Sequence, residues 1–138
     1  MAVILTSVLL MGGCNVGETW HFNDVPQDSN TGQAIENLWQ RGWVAGVSEE
    51  PPLFEPNRAM SRAEISVLLV QAEEGPKFTP PMRSGLPSDV DINAWYASWV
   101  GYSLWGGLQD LMPDGLFHPD DAATRSDVAS LVHLLLSR

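Results

Sequence analysis

Two arginines stand where helix chemistry does not favour them. Ser61-Arg62-Ala63-Glu64 and Thr124-Arg125-Ser126-Asp127 each read as the start of a helix. The Ser or Thr hydroxyl can accept from orphan amides, and the carboxylate three residues on can reach back to the cap. Arg62 and Arg125 then fall in the first turn, where the positive end of the helix dipole disfavours a cation by about 0.3–1 kcal/mol. A nearby anion would explain them. It is either internal, with Asp24 and Asp89 as candidates, or a bound carboxylate, which guanidinium and helix terminus would both favour. The two readings can coexist.

Other reactive constellations are absent from the sequence. His21, His118 and His133 are scattered, without metal-ligand spacing. The single Cys14 rules out an intramolecular disulfide and a CxxC knuckle. Ser61 and Thr124 have no neighbouring His-acid pair and read as caps. Asp110, Asp114, Asp120 and Asp121 cluster around Phe117, but match no EF-hand loop and read as a solvated turn at Asp114-Gly115. The expectation is a protein with no catalytic residue, metal or cofactor. Seventeen acids against seven bases give a net charge of −10. That balance argues against nucleic acid and against adsorption to anionic lipid.

The elements that carry the arginines occur twice. Phe54-Glu55-Pro56 falls on Phe117-His118-Pro119 at an offset of 63 residues, and Arg62 falls on Arg125 at the same offset. Asn23-Asp24-Val25 falls on Ser88-Asp89-Val90 at 65, and Gly42 falls on Gly106 at 64. A drift of two residues is what short loop insertions give. Each copy runs Asp-Val turn, first helix (31–42 and 94–105), glycine-rich exit, polar loop, Phe-x-Pro and second helix (62–73 and 125–137). Helical spacing puts Ala34, Ile35, Leu38 and Trp39 on one stripe, and Trp95, Trp99 and Tyr102 on its counterpart. The second helices carry Ile65, Leu68, Leu69 and Ala72, then Val128, Leu131, Val132 and Leu135. Neither pair can bury its stripe alone, so the copies should pack together. The fold class is mainly α, with units at 22–74 and 87–138 joined by the proline-rich linker 75–86.

Residues 2–11, AVILTSVLLM, form an apolar run too short to span a bilayer. They have the length of a signal-peptide core, and Gly12-Gly13-Cys14 follows. The alternatives are a buried segment with a free core Cys and export with simple cleavage. The small residues before Cys14 resemble the lipobox of bacterial lipoproteins, although Met11 stands where Leu is usual and no Lys or Arg precedes the run. This resemblance implies a signal-like segment 1–13, a tether 14–21, export to the cell envelope or surface, and acylation of Cys14. The membrane would then be reached only through lipid chains, each buried CH2 contributing about 0.8 kcal/mol.

Four motifs recur in order. The first unit has Phe22-Asn23-Asp24-Val25, Gly42-x-x-x-Gly46, Phe54-Glu55-Pro56 and Ser61-Arg62-Ala63-Glu64. This order resembles the S-layer homology domain of bacterial cell envelopes, over nearly all of the chain after the signal-like segment. The resemblance implies a helical pseudo-threefold prism of three units, here incomplete. It implies binding of cell-wall polysaccharide, often pyruvylated, with Arg62, Arg125 and Trp95 facing the glycan. Asp24, Asp89, Gly42, Gly46, Phe54, Pro56, Ser61, Glu64, Phe117, Pro119, Thr124 and Asp127 would be scaffold. A partner envelope protein or a second copy could supply a third unit. Two features depart from the pattern: there are two units rather than three, and Asp110 stands at the second glycine of the second unit.

Overall fold

The computed structural model describes residues 20–137, so the apolar run and Cys14 lie outside the described residues. Its elements are α1 (Asn30–Gln40), β1 (Ser48–Glu49), β2 (Pro52–Leu53), α2 (Arg62–Glu74), α3 (Ala97–Trp105) and α4 (Arg125–Leu136). The class is mainly α. β1 and β2 form an antiparallel hairpin that pairs Ser48 with Leu53 and Glu49 with Pro52.

The first helix of each unit ends in the same way. The Gly42 and Trp43 amides donate to the Trp39 and Leu38 carbonyls; those of Gly107 and Leu108 donate to Leu104 and Ser103. This closes the last turn through a left-handed residue, which glycine adopts without a Cβ penalty. Gly42 has φ 76° and Gly107 has φ 67°. The counterpart of Gly42 is therefore Gly107, not Gly106, and the offset here is 65, as at the Asp-Val turns. The two extra residues of the first unit lie in its hairpin. The second unit replaces the hairpin with a turn, in which Gly115 donates to Met112 and Met112 to Leu116.

Each unit has its own apolar centre. In the first, Phe22, Val25 and Ile35 are buried, with Trp39 and Phe54 packed against them. In the second, Val90, Ala97, Val100 and Phe117 are buried, together with Ala63 from α2. α2 packs against both α3 and α4 and is the hub of the fold. Two expected stripes are corrected. Of the α1 stripe Ile35 is buried, while Ala34 is exposed and Leu38 is 42% exposed. On α4, Val128, Val132 and Leu135 are each nearly half exposed. α1 is short and packs through Ile35 and Trp39 on Phe22, Val25, Phe54 and His21.

Candidate functional site

Arg62 lies at the seam between the units, not at the surface. It is 2% exposed and its guanidinium crosses from one unit into the other. Nε donates to the Phe117 carbonyl at 2.9 Å, one terminal nitrogen to Asp127 at 2.8 and 3.2 Å, and the other to the Asp110 carbonyl at 2.7 Å. Its Cζ lies 4.8 Å from the centre of the Phe117 ring. The expectation that Arg62 faces ligand is corrected by this burial. The anion that offsets its unfavourable place on the dipole is internal, but it is Asp127 rather than Asp24.

Asp127 also completes its own helix start. Thr124 and Asp127 form a reciprocal capping box, as do Ser61 and Glu64 on α2. Burial raises the Asp127 pKa, but hydrogen bonds from Thr124 and Gln109 and the charge of Arg62 outweigh it and hold the carboxyl below its ordinary value. Gln109 ties the seam further. Its side-chain carbonyl accepts from Ser66 at 2.6 Å and Ser103 at 2.9 Å, and its amide donates to Asp127 at 3.1 Å. This buried network links α2, α3, the loop after α3 and α4. Ser66, Ser103 and Gln109 carry no motif in sequence; only the contacts identify them.

The start of α2 is satisfied by the second unit. The Arg62 amide donates to the Asp121 carbonyl at 2.8 Å and the Ala63 amide to Pro119 at 3.0 Å. Ser61 Oγ takes the Glu64 amide at 3.2 Å, and the Glu64 carboxylate takes the Ser61 amide at 2.8 Å. All four orphan donors are thus accounted for, and no place for a bound anion remains there.

Asp24 and Asp89 hold the Phe-x-Pro segments instead of the arginines. Asp24 accepts from the Phe54 and Glu55 amides at 2.9 and 2.7 Å. Asp89 accepts from Phe117 at 3.1 Å and His118 at 2.7 Å. The middle residues are left-handed, Glu55 at φ 55° and His118 at φ 56°. Non-glycine residues seldom adopt that conformation. A carboxylate that grips two successive amides stabilises it, and the following proline excludes the right-handed helix. The Phe54 amide holds the Asp24 pKa down; at Asp89 burial pushes the other way but the amides win.

Arg125 and Trp95 are both exposed, Trp95 by 63%, and no contact joins them among the described residues. Trp95 meets the edge of Tyr96, with ring centres 5.3 Å apart. A second pair of candidates escaped the sequence reading. Arg83, in the linker, lies with its Cζ 4.1 Å from the Trp105 ring centre and 5.4 Å from that of Tyr102. Trp105 is 67% exposed, and the buried Arg83 Nε has no hydrogen-bond partner. Arg83, Ser84, Leu86, Gly101, Leu104 and Trp105 line a cavity of about 420 Å³. Gly101 permits this close approach, since a Cβ there would meet Leu86 Cδ2 at 2.9 Å. The signal available in sequence was an arginine inside a proline-rich linker of an acidic chain.

Among the described residues there is no group of three His, Cys, Asp or Glu that could hold a metal ion. No helix among them is long and apolar enough to cross a membrane. No family model matches the chain. The chain is similar to a cellulosome-anchoring protein of Acetivibrio thermocellus, with 28% identity over 120 residues. The match covers 83% of this chain and 24% of the relative, so the chain spans about a quarter of the relative's length.

Proposed function

We propose that this chain is a non-catalytic cell-envelope module that anchors at the bacterial surface by binding an acidic cell-wall or surface polysaccharide, with export and acylation at Cys14. The observation that carries the glycan reading is the pairing of Arg83 with the exposed Trp105 beside an open cavity. An indole face packs against the apolar face of a sugar ring, and a guanidinium beside it pairs with a carboxylate. Trp105 leaves a large apolar area in water, which a bound ring would cover. Trp95 offers a further exposed aromatic face. Arg62 contributes by building the wall between the units. The similarity to an anchoring protein supports the surface role.

Co-sedimentation with purified cell-wall sacculi tests the reading. The wild-type protein should pellet with the sacculi, and Arg83→Ala with Trp105→Ala should leave it in solution. Retention unchanged in that variant would sink the Arg83–Trp105 platform. Because the chain carries a net charge of −10, moderate salt should strengthen the encounter with an anionic polymer by screening their repulsion. A second reading, assembly with other proteins through the repeated units, is favoured by the open stripe of α4.

A further inference from the structure

α2 and α4 are the same element in two environments. On α2, Ile65, Leu69 and Ala72 are 2%, 0% and 0% exposed, on the helix that packs against α3 and α4 of the second unit. Their counterparts on α4, at the 63-residue offset, are Val128, Val132 and Leu135, at 48%, 48% and 47%. The polar groups follow the same rule. Arg62 is buried with every nitrogen engaged, whereas Arg125 is exposed and has no partner among the described residues. The first two amides of α2 are taken by Asp121 and Pro119; among the described residues nothing accepts from those of Arg125 and Ser126. Three independent features of α4 thus lack what α2 obtains from a following unit.

We propose that the second unit's α4 docks against the first unit of another copy of this chain, head to tail, repeating between chains the seam that Arg62 makes within one. The occupant is argued from the seam itself, where the equivalent surface is covered by a unit of this same sequence pattern. In the docked pair Arg125 reaches Glu64 of the second copy, the counterpart of Asp127, and the Phe54 carbonyl, the counterpart of Phe117. The open amides meet the carbonyls of the Phe-x-Pro loop. Such an interface is heterologous, so it either closes into a ring or continues as a chain.

One residue opposes this docking and makes it testable. Arg58 already sits on Glu64, at 2.6 and 3.1 Å through its two terminal nitrogens. It fills on the first unit the place that Arg62 takes on Asp127. It is 42% exposed, so an incoming Arg125 can displace it. Arg58 therefore acts as an internal competitor that weakens association.

Sedimentation equilibrium over a range of concentrations reads this directly, with circular dichroism to confirm folding. The wild-type chain should self-associate weakly. Arg58→Ala, which frees Glu64, should associate several-fold more tightly. Arg125→Ala and Val132→Asp, at exposed positions, should each weaken association by at least about tenfold. If wild type and Arg58→Ala both stay monomeric, the proposal fails. Association that persists unchanged in Arg125→Ala would place the contact elsewhere, such as the apolar run 2–11, and would also overturn it. Neither outcome bears on binding to sacculi through Arg83 and Trp105.

Discussion

Arg62 of the first unit and Asp127 of the second meet at 2.8 Å with 2% and 4% of their side chains exposed. They lie 65 residues apart in sequence. Removing one partner of such a pair leaves the other charged and buried, which typically costs about 3–5 kcal/mol. Arg62→Ala should therefore lower stability by about that amount in denaturant titrations. Arg62→Lys should recover only part of it, because a single ammonium cannot reach Asp127 and two carbonyls in the fork that guanidinium provides. Full stability in Arg62→Ala would mean that the seam is held by packing alone.

Asp89→Asn tests the grip on Phe-x-Pro. An amide side chain removes the negative charge that both amides face and sets an NH2 donor against the Phe117 amide where the carboxylate has its second acceptor oxygen. We expect a loss of about 1–3 kcal/mol, read as a lower midpoint in urea. Glycine in place of His118 should offset part of that loss, since it accepts φ 56° freely.

Acidity should weaken the fold through a defined set of groups. Asp24, Asp89 and Asp127 all have folded pKa values below their ordinary 3.8. Their contribution is present above that value and is lost as pH falls through the folded ones. His118 works in the opposite sense. Its hydrogen bond to Asp114, at 2.6 Å, raises its pKa above the ordinary 6.5. That contribution is complete below about pH 6.5 and fades as pH rises through the folded value. Melting temperature should fall between pH 6 and pH 8 in the wild type and change less in His118→Gln. Equal slopes for both proteins would exclude this pair as the cause.

Gly46→Ala tests a close approach. An added Cβ would lie 2.5 Å from the Leu53 carbonyl oxygen and 2.6 Å from Phe22. The hairpin has to move away from the first apolar centre, and overpacking of this kind typically costs about 1–3 kcal/mol. Tryptophan fluorescence should report the change, because Trp39 packs against Phe22 in that centre.

What could be read from sequence followed from local physics. The doubled unit, both capping boxes and the starts of α2 and α4 depend on contiguous residues, and the structure places them where spacing puts them. The oddity of Arg62 was legible as well, since a cation in a first turn lacks a local reason. Its partner was not, because Asp127 and Asp24 are equally acidic in sequence and only the docking of the units selects one. In sequence Asp24 and Asp89 are candidate partners for the arginines and candidate scaffold acids alike; their role as anchors for backbone amides leaves no periodic trace. Similarly, Arg83 lay hidden in a stretch whose prolines identify it as a linker. The apolar stripe on α4 was legible in sequence, but periodicity alone does not say that Val128, Val132 and Leu135 stay nearly half exposed.

The borrowed start of α2 also has a consequence for the order of events during synthesis. The carbonyls of Pro119 and Asp121 that receive its first amides, and the carboxylate that receives Arg62, are made long after α2 itself. A nascent chain that has exposed only its first unit holds a helix whose opening turn is half satisfied and whose guanidinium has no anion. That intermediate can form its local apolar centre around Phe22 and Phe54, but it cannot lock. Closure waits for residues 117–127 to emerge, and then joins contacts of large sequence separation in one step. Such contacts are slow to form because the intervening loop must first be closed. The molecule should therefore reach its final state late and all at once, with the unfinished first unit as the stage at which a chaperone or a neighbouring chain can intercept it.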